Sequence, residues 1–195
     1  MAQSNSLRAF APDEVLEFSR TFDAPRELVW RLWRDPEHMV RWHGPQGMWL
    51  TACEMDFRVG GKWRRCMSHS EGHEHWIYGE YLEIREPERL VFTYINEYDP
   101  FETIITLDFE AVDGKTLMHF HQAPFPTLAE RDGHGWGWNS GLQLFADYLV
   151  QVVANGGVPA GRPRIEGVAA DLVAARQRQD ETRRQTEEKT NAARQ

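Results

Sequence analysis

The sequence has little of what would tie it to a specialised environment. Cys53 and Cys66 are its only cysteines in 195 residues. Two thiols cannot staple a chain of this size, and they read as plain core residues rather than a disulfide. No apolar run approaches the roughly 18 residues of a membrane helix, and the opening MAQSNSLRAFAPDEV has no apolar signal core. A cytoplasmic protein is therefore expected, with no membrane partner. Positive charge is also short: 22 Lys and Arg stand against 30 Asp and Glu, a formal net charge of −8. That balance argues against a nucleic-acid surface. There is no Gly-rich phosphate loop, no serine or cysteine nucleophile motif and no recognisable carboxylate pair. No cofactor is expected, and no residue is assigned as catalytic.

Aromatic residues are abundant: 12% of the chain, including eight tryptophans, within a hydrophobic fraction of 41%. Their order gives the architecture. EVLEFSRTF (14–22) alternates as a strand. DAPRELVWRLWRDP follows as a short helix, with Asp23 expected as its cap, Pro25 in its first turn and Pro36 as its stop. PEHMVRW reads as a second short helix. A long run of strands then begins, so the fold class is α+β with an antiparallel sheet rather than a βαβ alternation.

Residues 48–58 place Cys53, Met55 and Phe57 on one face and Glu54, Asp56 and Arg58 on the other. At VGGKW, a three-residue loop with Gly61 in the left-handed position keeps apolar residues together, pairing Phe57 with Trp63. Arg65 then faces inward beside Met55. HWIYGEYLEIR, ERLVFTYINE, ETIITLDFEAV and KTLMHFHQ are further strands, the last two joined at Asp113-Gly114. Ile105, Leu107 and Phe109 share a face, as do Met118, Phe120 and Gln122. That makes six to seven strands. Residues 138–153 form a helix whose stripe is Trp138, Leu142, Phe145, Leu149 and Val152. Beyond it the composition becomes polar. The expected organisation is an extension at 1–13, a domain at 14–154 and a solvated tail at 155–195.

One stretch is costly. GHGWGWNSGLQLFADYL (133–149) places Gly133, Gly135 and Gly137 between His134, Trp136 and Trp138. Each glycine inside a helix costs about 1 kcal/mol relative to alanine. Small residues such as Gly137 and Gly141 let a backbone approach a sheet or a ligand closely, with Trp136 and Trp138 as walls. Tight helix–sheet packing and ligand access both remain open as the reason.

FDAPRELVWRLWRDPEHMVRWHGP, CEMDFRVGGKW, GEYLEIREPERLVFT and the HGWGWNSGLQLFADYL helix resemble, in that order, the homologues of the activator of the heat-shock-protein ATPase. That family lies within the START-like (SRPBCC, helix-grip) superfamily, and the resemblance covers roughly residues 14–153. It implies a curved antiparallel sheet gripping a long C-terminal helix, with two short helices sealing one end and a cavity for an apolar ligand between helix and sheet. His43 stands where the family often has a tryptophan, and Arg65 where it usually has an apolar residue. Both make the implied cavity more polar.

Strand parity assigns the lining of that cavity to Met55, Trp63, Tyr78, Phe92, Phe109 and Phe120, and the helix adds Trp138, Gly141 and Leu142, with Arg65 and Gln122 as polar handles. Glu80 shares a face with Trp76, Tyr78 and Leu82. If that face is inward, Glu80 meets Arg65; alternatively, a bulge turns Glu80 outward and the pair never forms. His69, His73 and His75 have a spacing that could converge on zinc, but they sit in a polar turn and are read as solvated, so no metal is expected. His119 and His121 lie opposite Met118 and Phe120, outside the core. The resulting functional expectation is binding of a small, partly aromatic or apolar ligand. The alternatives are a co-chaperone-like domain that binds an ATPase partner and a cyclase- or hydrolase-type enzyme using the same cavity.

Overall fold

Alternating sequence becomes seven strands in one antiparallel sheet. The computed structural model describes residues 10–69, 72–99 and 101–159. Nearly all of the expected tail, and the first nine residues, lie outside them. The strands are β1 (Leu16–Phe22), β2 (Met48–Met55), β3 (Lys62–His69), β4 (Glu74–Arg85), β5 (Arg89–Asn96), β6 (Glu102–Val112) and β7 (Lys115–Ala123). Their spatial order is β1-β7-β6-β5-β4-β3-β2. Consecutive hairpins carry the chain from β2 to β7, and β1 returns to the free edge of β7. The sheet curls into a half-barrel. Two short helices, α1 (Arg26–Arg34) and α2 (Pro36–Trp42), join the two edge strands, and the long helix α3 (Leu128–Asn155) lies in the concavity. This is the helix-grip architecture.

The inward faces of β6 and β7 are those the alternation dictates. Ile105, Leu107, Phe109, Met118, Phe120 and Gln122 are all buried. Asp113 and Gly114 both adopt positive φ, 50° and 79°, the conformation a two-residue hairpin turn demands. Aromatic rings fill the centre of the grip. Phe120 stacks on Phe18 at 4.6 Å and lies 5.0 Å from Trp138. Trp30 meets Phe109 edge-on at 5.7 Å, and Phe145 of α3 packs between Phe22, Trp33 and Trp42. Offset and edge-on arrangements of this kind add to the large apolar area each ring removes from water.

Four local expectations need correction. Asp23 does not cap α1; Pro25 occupies the cap position, its carbonyl accepting from the Leu28 and Val29 amides. The β2–β3 pairing is Met55 with Trp63 and Cys53 with Arg65, two residues away from the expected register. The loop is longer because its backbone is used by β4. The Gly60 amide donates to the Tyr81 carbonyl at 2.8 Å, and the Tyr81 amide to the Gly61 carbonyl at 2.9 Å. Gly60, at φ 76°, takes the left-handed position assigned to Gly61. Gly61 is needed for space instead, since a Cβ there would strike the Asp56 carbonyl. Because the shift is even, every side chain keeps its face, and Arg65 is inward. Finally, α3 begins ten residues before Trp138, capped by Thr127, whose hydroxyl accepts from the Glu130 amide. The glycines at 133, 135 and 137 are therefore helix interior.

Candidate functional site

The helix and the sheet do not close on each other everywhere. Along the N-terminal half of α3 they leave a cavity of about 310 Å³. Met67 of β3 and Tyr94 and Asn96 of β5 line its sheet side. Trp42 and the segment His43–Pro45 after α2 form one end, and Glu130, Gly133, Gly137, Trp138 and Gly141 form the helix side, with Asp99 and Trp136 at the rim. A second, more open depression of about 740 Å³ lies between β2, β3 and β4, against Arg64, Trp76 and Tyr78. Its floor carries the exposed Arg64–Glu54 ion pair at 2.8 Å, with the same guanidinium over Trp76 at 5.2 Å.

The glycines of α3 divide into two kinds. A Cβ at Gly141 would sit 3.1 Å from the Gly44 carbonyl, and one at Gly135 would sit 3.2 Å from Leu16 Cδ1. These two are small because something packs against them. A Cβ at Gly133 or Gly137 would meet nothing within 4 Å. Both border the cavity, and packing does not require them.

One wall is a hydrogen-bonded chain whose proton positions follow from donor chemistry. The Trp138 indole Nε1 can only donate, and it donates to Gln122 Oε1 at 2.9 Å. That orients the Gln122 amide. Its Nε2 then donates to Thr103 Oγ1 at 2.8 Å and faces His134 Nδ1 at 3.2 Å. His134 Nδ1 must be the acceptor, so the ring proton sits on Nε2 and points at Asp99 Oδ2, 3.4 Å away. Burial lowers the His134 pKa, although Asp99 pulls it back. The imidazole is therefore held neutral, with its lone pair already engaged.

His43 is the opposite case. It is 4% exposed, and neither ring nitrogen has a partner among the described residues. The ring stands edge-on to Trp138 at 5.8 Å. Burial pushes its pKa well below the ordinary histidine value, and the charge of Arg65 pushes the same way. A neutral imidazole thus offers one donor and one acceptor at the cavity wall.

Arg65 is 2% exposed, and its Nε and Nη1 find no acceptor among the described residues. The guanidinium lies over the Trp63 ring at 4.4 Å, and Nη2 approaches the Met55 sulfur at 3.9 Å. Tyr81, whose phenol burial pushes up to about 12, and Cys53, whose thiol is likewise raised by burial, are its other neighbours. No carboxylate neutralises it among the described residues.

Of the residues expected to line a cavity, Trp138 and Gly141 do so. Phe92, Phe109, Phe120 and Leu142 are packed core. Trp63 is also buried core, with Met55 packed against it, and both border the second depression. Tyr78 is 42% exposed on the outer face, against the second depression. Glu80 is on that outer face too, opposite Lys62, and does not reach Arg65. The whole strand face is outward, not a local bulge; the β4 irregularity falls between Tyr81 and Glu83. Ile77, Gly79 and Tyr81 are the inward set, because they pair with Arg65, Trp63 and the loop glycines. Gln122 is no free handle, since its amide is spent on Trp138, Thr103 and His134. Arg65 lies behind the cavity wall rather than in it.

The resemblance singled out His43 as a polar departure, but the assigned lining left it out, and sequence reasoning missed the cavity's position. The signal was present as glycine at 133, 137 and 141, a four-residue period that puts all three on one helix face. Among the described residues, the grouped metal-ligating atoms are those of Asp35, Glu37 and His38. His38 Nδ1 is already 2.8 Å from the Tyr148 hydroxyl. No described helix is long and apolar enough to cross a membrane.

Comparison with solved structures finds the same fold. A protein from Chromobacterium violaceum shares 25% identity over 70% of this chain and 96% of its own, with a TM-score of 0.64. One from Nitrosomonas europaea shares 23% identity over 74% of this chain and 99% of its own, with a TM-score of 0.65. A Silicibacter pomeroyi protein described as AHSA1 shares 22% over 70% and 97%, with a TM-score of 0.64. No curated protein matches the sequence. Residues 23–150 match the family described as activator of Hsp90 ATPase homolog 1-like protein. That span runs from the entry to α1 to the last turns of α3, and the chain belongs to this family.

Proposed function

We propose that the domain binds a small, partly aromatic molecule in the cavity beside the N-terminal half of α3. The observation that carries this reading is the vacancy at Gly133 and Gly137. Each costs the helix about 1 kcal/mol relative to alanine, and no neighbour demands it. What the two glycines provide is space. The lining supports the same use: Trp42, Tyr94 and Trp138 supply aromatic surface, and His43 supplies an unspent polar group. Small-molecule sites combine mostly apolar walls with a few placed polar groups in this way.

The catalytic alternative has less support, because the lone pair of His134 is already taken by Gln122. The ATPase-partner alternative rests on the family description alone. The test is calorimetric titration with 2-naphthamide and 2-naphthoate, repeated on Gly137→Leu, whose side chain would occupy the cavity. Saturable binding that Gly137→Leu abolishes, at an undiminished melting temperature, supports the reading. Flat titrations of the parent with both probes, or binding indifferent to Gly137→Leu, overturn it.

A further inference from the structure

The cavity has a direction. Its rim holds the carboxylates of Asp99 and Glu130, and its inner end is His43. Both rim carboxylates are engaged, Asp99 by His134 and Glu130 by the Thr127 hydroxyl at 2.7 Å. They still repel an anion approaching the mouth. The inner end lacks a corresponding negative group. Arg65 lies one inward position along β3 from Met67, which lines the cavity. His43 and Tyr94, both lining residues, feel its positive charge. Two nitrogens of that guanidinium and both of His43 lack partners among the described residues.

Buried polar groups are normally hydrogen-bonded, and a buried charge is normally paired. Three of these four unsatisfied nitrogens are donors, two on Arg65 and one on neutral His43, each side chain more than nine-tenths buried, and together they leave the place of an acceptor unfilled. Neutral His43 can donate one N–H. Arg65, behind the wall, supplies a positive field. The matching group is an anion with acceptor oxygens, attached to a ring system that covers the tryptophan walls.

Resting on the ligand-binding reading above, we infer that the cavity selects an aromatic carboxylate. Its acid group is seated inward against His43, toward the unneutralised Arg65, and its ring lies along Trp138. The rim carboxylates set this polarity by disfavouring the reverse orientation. A charge-assisted hydrogen bond in a poorly solvated site discriminates by about tenfold or more.

The probes are the matched pair 2-naphthoate and 2-naphthamide, which differ mainly in charge. The parent protein should bind the carboxylate at least about tenfold more tightly than the amide. Arg65→Met should bring the two affinities to within about twofold while leaving that of the amide unchanged. Arg65→Lys should retain the preference. Unchanged amide affinity shows that the variant cavity is intact, so a folding defect cannot pass for lost selectivity. Equal binding of both probes by the parent overturns the acid preference and leaves the cavity reading standing, and it needs no variant. A preference that survives Arg65→Met overturns the role of Arg65. Absence of binding by either probe removes the cavity reading itself, and this inference with it.

Discussion

Gly137→Ala is the most incisive single change, because a destabilised protein is the usual outcome of mutation and a stabilised one is expected here. Position 137 is inside α3, four residues before Gly141 and one before Trp138. Replacing a helix-interior glycine with alanine is worth about 0.8–1 kcal/mol, from reduced backbone entropy in the unfolded chain and better helix propensity. The new Cβ would meet nothing within 4 Å, so no clash subtracts from that gain and little packing adds to it. The expected result is a stabilisation of about 1 kcal/mol, or about 2–4 °C in melting temperature for a domain of this size. Gly141→Ala is the internal control. It gains the same propensity, but its Cβ falls 3.1 Å from the Gly44 carbonyl, tighter than ordinary contact, in a backbone held at φ 114°. It should be neutral or lose about 1 kcal/mol, and Gly141→Leu should lose about 1–3 kcal/mol by overpacking. Urea and thermal unfolding of the variants side by side measure the difference. If Gly137→Ala destabilises, the helix is in contact at 137 and the vacancy is not real. If Gly141→Ala stabilises as much as Gly137→Ala, the close approach to Gly44 is wrong.

Trp138→Ala should cost about 3–5 kcal/mol, the range for a buried aromatic, since it removes a ring packed on Phe120 and strands the Gln122 carbonyl; an unfolding free energy from urea titration that falls by less than about 1 kcal/mol refutes the packing account. Arg65→Met should leave stability unchanged or raised, because it deletes an unpaired buried charge at the cost of its contacts with the Trp63 ring and the Met55 sulfur; a melting temperature clearly below the parent shows that the charge is compensated. Burial lowers the folded-state pKa values of His38, His43 and His134. The unfolded chain takes up these protons near pH 6.5 and the folded chain only below it. Stability is therefore complete above about pH 6.5 and declines as pH falls through the window beneath it. Urea midpoints at about pH 7.5 and pH 5.5 measure the decline, which His43→Phe should flatten; a midpoint that rises toward pH 5.5 contradicts the neutral assignment.

Much of the fold is legible locally. Strands β6 and β7 have one bulky apolar face each, so Ile105 to Phe109 and Met118 to Gln122 could only face inward. Parity is robust for the same reason: the β2–β3 register slipped by two residues, and Arg65 still faced the core. Where both faces are apolar, parity identifies the two sets without saying which is inside. On β4 one set holds Trp76, Tyr78 and Leu82 and the other Ile77 and Tyr81. Pairing with β3 and the Gly60–Gly61 backbone decided for the second, and with that choice Glu80 and Arg65 were separated. The start of α3 was hidden because glycine carries no helix signal, although Thr127 and Glu130 mark the cap. The cavity is the least local feature. Its volume is whatever remains after rings from α1, α2, β1, β5, β6, β7 and α3 have filled the grip, a sum over residues far apart in sequence. The sequence by itself determined which residues would face the interior along most strands. Only the tertiary structure decided which of them touch each other, that a Cβ at Gly133 or Gly137 would meet no neighbour, and that the ring nitrogens of His43 find no partner among the described residues.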